Sequence, residues 1–155
     1  MRRVLLVFGM FLLLGLGACH SDQNGNVLVS REFPTASWER FDYVENVITL
    51  SKPVTYDVEL DAVFDDTYPF NYFAVVFTVF DNAGNPLRSK NYKFNIKDRD
   101  GLWKSEPTEG LYHFRFPLNN ELSLNEPGIY NFQIENHMPI TPLLGIREIS
   151  IINKH

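Results

Sequence analysis

From Val54 to Phe64 the chain reads VTYDVELDAVF, with an apolar residue at every second position and acids in most of the gaps. Successive side chains of an extended strand point to opposite faces, so this pattern predicts a strand with one buried and one wet face. The same period recurs along most of the chain. Arg88 to Ile96 alternates through Tyr92, Phe94 and Ile96. Leu111 to Leu118 puts Tyr112, Phe114, Phe116 and Leu118 on one side. Ile129 to Met138 does so with Tyr130, Phe132, Ile134 and Met138, and Gly145 to Ile152 supplies a last strand. Val27 to Phe33 and Tyr43 to Leu50 carry weaker versions.

Tyr72 to Phe80 (YFAVVFTVF) is apolar on both faces, as expected of a central strand covered on both sides or of one whose second face is reserved for a partner. Asp81 to Pro86 (DNAGNP) is a turn cluster, so this strand and the next are read as a hairpin. Glu126-Pro127-Gly128 and Pro139 to Pro142 punctuate the rest. No segment carries a helical stripe; only Leu118 to Leu124 is allowed a single helical turn. Seven or eight short strands between turns predict an all-β fold, a single antiparallel β-sandwich of jelly-roll or immunoglobulin-like kind. Strand order is not legible at this point.

The N-terminus has a different grammar. Met1-Arg2-Arg3 is a short positive segment, and Val4 to Leu16 is an apolar run. At about 13 residues that run suits an export signal and falls short of the roughly 20 needed to span a bilayer. Leu16-Gly17-Ala18-Cys19 then forms a lipobox, with small residues before the chain's single cysteine. The expected organisation is a cleaved lipoprotein signal peptide over 1–18, a lipidated Cys19 with a polar tether over 19–26, and a β-sandwich domain over 27–155. Two or three acyl chains, at about 0.8 kcal/mol per buried methylene, make a lasting membrane anchor. The residue after Cys19 is His20 rather than Asp, which points to the outer membrane and leaves the leaflet open.

Loss of the signal removes Arg2 and Arg3 and takes the formal charge from -5 to -7. The chain is read as an acidic domain without basic clusters, and therefore without a footprint for nucleic acid or anionic lipid. No constellation assembles an active site. His113 and His137 sit at outward strand positions, while His20 and His155 lie near the ends; none shares a metal-ligand spacing with another. The serines have no nucleophile-elbow context. Asp98-Arg99-Asp100-Gly101 with Glu106 and Glu109 offers oxygen ligands but lacks the series of a calcium loop, and reads as a turn. Neither a metal nor a cofactor is expected. Trp103 could stack on a sugar or anchor a protein partner, or fold back to cap the core; the same choice applies to Trp38.

Taken in order, the lipobox, Trp38 and Phe41, Tyr68-Pro69-Phe70-Asn71-Tyr72, Gly101-Leu102-Trp103, Pro127 to Phe132 and Leu144 to Ile149 resemble the GldH-type gliding-motility lipoproteins of Bacteroidetes. The resemblance spans nearly the whole chain, with Lys104-Ser105-Glu106 standing where the family usually has a further glycine behind the tryptophan. It implies a lipid-anchored accessory component of the gliding apparatus, needed for movement of surface adhesins in gliding relatives, and it implies no catalysis. In relatives that do not glide, the role it implies is support of an envelope secretion or surface-assembly machine. The expected function is thus a non-enzymatic protein-interaction module within an envelope complex. The alternative is a carbohydrate-binding surface lipoprotein that uses Trp103.

Overall fold

A computed structural model describes residues 27–154. The expected signal peptide over 1–18 and the expected lipidated Cys19 and tether over 19–26, like His155, lie outside the described residues. Ten strands follow in order: β1 (Val27–Glu32), β2 (Ser37–Trp38), β3 (Val44–Leu50), β4 (Val54–Phe64), β5 (Tyr72–Phe80), β6 (Pro86–Asn95), β7 (Tyr112–Leu124), β8 (Gly128–Asn136), β9 (Leu143–Leu144) and β10 (Ile146–Asn153). The expected all-β sandwich is what forms. Among the described residues no helix is long and apolar enough to cross a membrane.

Two four-stranded sheets stack face to face, one ordered β1-β10-β4-β7 and the other β3-β8-β5-β6. Neighbours are antiparallel throughout. The pairs β1/β10, β3/β8, β4/β7 and β5/β6 are those of one long hairpin folded round a core, with β1 opposite β3 and β7 opposite β6. That order is a jelly roll, and it decides between the two sandwich kinds left open above. The short β2 and β9 pair with each other near the loop-rich end.

Alternation and burial agree where it matters. Val58, Leu60, Ala62 and Phe64 of β4 face Phe73, Val75, Phe77 and Val79 of β5, and all eight are fully buried. Among the described residues no further strand covers the second face of β5. Ala74 and Thr78 are buried there: His137 of the 137–145 connection donates its N–H to Ala74 O at 3.0 Å, and the hydroxyls of Thr78 and Ser89 share a hydrogen bond of 2.9 Å.

One expectation is corrected. Leu118 to Leu124 is not a helical turn but the continuation of β7, which pairs with β4 as far as Leu124 opposite Val54. Two register shifts around Asn119 insert extra residues there. Such bulges break the clean alternation while keeping the chain extended, and so hide a strand from a period-two reading.

The two ends of the sandwich differ. Val27, Asn153 and the tight turns at 51–53, 81–85 and 125–127 occupy one end. The other carries the longer connections at 33–43, 65–71, 96–111 and 137–145. Gly145 joins three of these connections. Its N–H donates to Ala36 O at 2.8 Å and its carbonyl accepts from Asp65 N at 2.9 Å. Its φ is +79°, and a Cβ there would lie 2.4 Å from Tyr68 N, so only glycine fits.

Candidate functional site: an aromatic seam and a cationic edge

Jelly-roll sheets meet at two lateral seams. Where β6 faces β7, the inward residues of both edge strands sit at the margin of the core and are only half-buried. Rings close this gap. Phe94 stacks on Phe116 at 4.1 Å, with Tyr92 beside Phe94 and Phe114 beside Phe116. The Tyr92 hydroxyl donates to Leu118 O across the seam.

Trp103 completes the row at the loop-rich end. It is half-buried, stacks on Tyr112 at 4.0 Å, and neighbours Phe64, Tyr68 and Phe114. Lys97 Nζ lies 4.3 Å from the Trp103 ring and donates to Tyr68 O at 2.6 Å. Desolvation holds the Lys97 ammonium below its ordinary pKa, and burial raises that of the Tyr68 hydroxyl. Tyr68 donates in turn to Tyr72 O at 2.9 Å, while Asn71 O accepts from the N–H groups of Ile96 and Lys97. The Tyr68–Tyr72 and Gly101–Trp103 stretches thus meet in one aromatic roof. Trp103 folds back onto the core margin, with one side of its chemistry already engaged.

Trp38 is fully buried, and its Nε1 donates to Asp42 O at 2.5 Å. It is a core residue. Asp98 Oδ1 accepts from the N–H groups of Asp100 and Leu102, a turn held by its own carboxylate. Among the described residues no group of three or more His, Cys, Asp or Glu gathers to hold a metal. His113 and His137 are exposed on different strands and loops.

Three features were missed in the sequence. First, six cations lie between Arg88 and Lys104 (Arg88, Lys90, Lys93, Lys97, Arg99 and Lys104) against two acids, Asp98 and Asp100. The net negative charge of the chain concealed this strip, and the reading of a domain without basic clusters is corrected. None of these six enters any of the ion pairs among the described residues, which use Arg31, Arg115, Arg147 and Lys154. Lys90 and Lys93 lie over Tyr92 and Tyr72 instead. Second, a cavity of about 550 Å³ opens at the foot of the seam, and two of its lining side chains, Arg88 and Asn119, hold buried N–H groups (Nε and Nδ2) with no partner. Third, Phe41 is 68% exposed at φ +66°, a conformation costing about 1 kcal/mol or more for such a residue.

Fold and site together define an all-β jelly-roll domain whose most distinctive surface is aromatic and cationic. The chain matches the family model for the GldH lipoprotein over residues 28–152 and belongs to that family. It is therefore a gliding-motility-associated lipoprotein held at a membrane of the cell envelope. No curated protein matches it significantly. A crystal structure of a protein from Sulfurospirillum deleyianum is similar over 81% of this chain and 97% of its own, at 12% identity and a TM-score of 0.38.

Proposed function

We propose that this protein is a non-enzymatic, protein-binding component of the gliding machinery or of the secretion machinery associated with it, anchored in the outer membrane through acylated Cys19. Membership of the GldH lipoprotein family over nearly the whole folded part carries the reading. The chemistry of the domain supports it: its distinctive surface offers rings and cations that enter no ion pair among the described residues, the groups that recognise another polypeptide. A sugar-stacking role for Trp103 gains no such support, because the indole already stacks on Tyr112 and lies under the Lys97 ammonium.

Anchoring and partnership are tested separately. Wild-type protein is expected to incorporate labelled fatty acid and to fractionate with membranes, and Cys19→Ser to do neither; an unchanged variant would sink the anchor. Crosslinking from the lipoprotein in gliding cells is expected to recover envelope machine proteins. Recovery of soluble glycan alone, or of nothing, would sink the partnership.

A further inference from the structure

Of the four edges of the two four-stranded sheets, three are blunted. β1 is six residues long and has a register shift at its start. β3 is tied to β1 through Asn46, whose amide donates to Leu28 O at 2.9 Å. β7 carries Pro117 in its middle and slips register twice. Proline and bulges are the usual means of stopping a foreign strand from adding to an edge.

β6 has both only at its first two residues, where Pro86 and a register shift at Leu87 precede a longer regular stretch than β1 has. From Arg88 to Asn95 it pairs with β5 in unbroken register, and its one proline is its first residue. It pairs on one side only. No backbone hydrogen bond outside that ladder involves residues 86–95 among the described residues, so the other side keeps its donors and acceptors.

We propose that β6 is a docking edge for an acidic, extended segment of a partner protein, which adds to the β3-β8-β5-β6 sheet as a fifth strand. The proposal rests on the protein-binding reading above and names the surface that serves it. Backbone pairing would supply affinity, and side chains along the strand would supply choice. The choice is written in the charges: among the described residues Lys90, Lys93, Arg99 and Lys104 have no carboxylate partner, in a chain with an excess of acids. At the upper end of β6, Asn71, Asn95, Lys97, Arg99 and Lys104 surround a cavity of about 410 Å³ that holds a single acid, Asp98. Such a cavity receives a carboxylate. An anionic membrane fits less well, because the strip climbs toward the loop-rich end, away from the end at which Val27 enters the fold.

Edge lysines can also serve only to repel other edges, and the experiment separates the two roles. The mature lipoprotein in detergent micelles is titrated with a labelled peptide of alternating Glu and Val, with a Lys/Val peptide as control and vesicles containing phosphatidylglycerol as a third arm. The Glu/Val peptide is expected to bind and to protect β6 amides from hydrogen exchange. Reversing three charges together (Lys90→Glu, Lys93→Glu, Lys104→Glu) is expected to weaken it roughly tenfold or more, and Lys52→Glu in the β3–β4 turn to leave it unchanged.

No binding of the Glu/Val peptide, equal binding by the triple variant, or protection confined to another edge would overturn the proposal. So would binding to the vesicles alone. In cells, a photocrosslinker at Asn91 is expected to give protein adducts that the triple variant loses. Adducts formed only from Ser30 on β1 would overturn the β6 edge and leave the protein-binding reading standing. Adducts from neither site would count against both.

Discussion

The two seams of the sandwich are closed by opposite chemistries. Where β1 faces β3, Arg31 grips Asp42 with two hydrogen bonds of 2.6 Å, and Asn46 reaches Leu28 O. Where β6 faces β7, the contacts are ring on ring, from Trp103 and Tyr112 to Phe94 and Phe116. The first seam satisfies its charges locally. The second leaves its cations unpaired beside half-exposed rings. A charged seam answers to pH and salt, whereas a stacked one answers mainly to shape, and only the second has binding capacity to spare.

Both seams hang from one residue. Gly145 bonds the 33–43 connection through Ala36 and abuts the 65–71 connection through Tyr68, beneath Trp103. Gly145→Ala forces a Cβ into backbone atoms at positive φ and is expected to cost about 3 kcal/mol or more. The loss should appear as a large drop in the urea midpoint, with near-ultraviolet signals of the Trp38 and Trp103 regions lost together. An unchanged midpoint would show that the roof does not join the seams.

The next effect acts on one side. Phe116→Ala removes the ring stacked on Phe94 at 4.1 Å and is expected to cost about 2–3 kcal/mol, below a fully buried phenylalanine because Phe116 is half-buried. A cycle with Phe94→Ala should give a coupling of about 1 kcal/mol. Additive losses would mean that the rings fill space without recognising each other.

How far this contrast was legible follows from the range of each cause. Strands β4 and β5 are local matters of alternation and apolar content, and their ends were readable to the residue. The far part of β7 was not, because its bulges depend on how it meets β4. The two-residue β2 and β9 are too short to show a period and exist only because Trp38 pairs with Leu143. The aromatic seam joins residues from separate strands, so it could not be seen before strand order was known. The six cations between Arg88 and Lys104 were in plain view, and a net charge of the opposite sign masked them.

The charged seam yields a smaller effect with a pH signature. The hydrogen bonds from Arg31, more than Coulomb attraction, hold the Asp42 carboxyl below its ordinary pKa. A depressed folded pKa stabilises fully above the unfolded value and loses its effect as pH falls through the folded one. Both side chains are more than a third exposed, so Asp42→Asn is expected to cost no more than about 1 kcal/mol at neutral pH. The deficit relative to wild type should close as pH falls below about 4 and shrink in high salt. The Phe116→Ala deficit should stay flat over the same range, since no titrating group makes that contact. Parallel pH curves for the two variants would erase the distinction between the seams.

The smallest expected effect bears most on function. If the β6 cations served the fold as Arg31 does, neutralising them would cost about as much as breaking the Arg31–Asp42 pair. Among the described residues, Lys90 and Lys93 lie over the faces of Tyr92 and Tyr72, at 4.9 and 4.1 Å, and enter no ion pair. Exposed cation–π contacts contribute roughly 0.5–1 kcal/mol at best, and a glutamine stem retains part of the packing. Lys90→Gln and Lys93→Gln are therefore each expected to shift stability by less than about 0.5 kcal/mol, as substitutions at unremarkable surface positions do. Urea titrations of the two single variants and the double variant check this. Losses well above that level would mean that the cations hold the seam together, and the edge would then have an internal reason for its charge. With stability unmoved, the unpaired lysines of the longest unbroken edge are left to act outside the molecule.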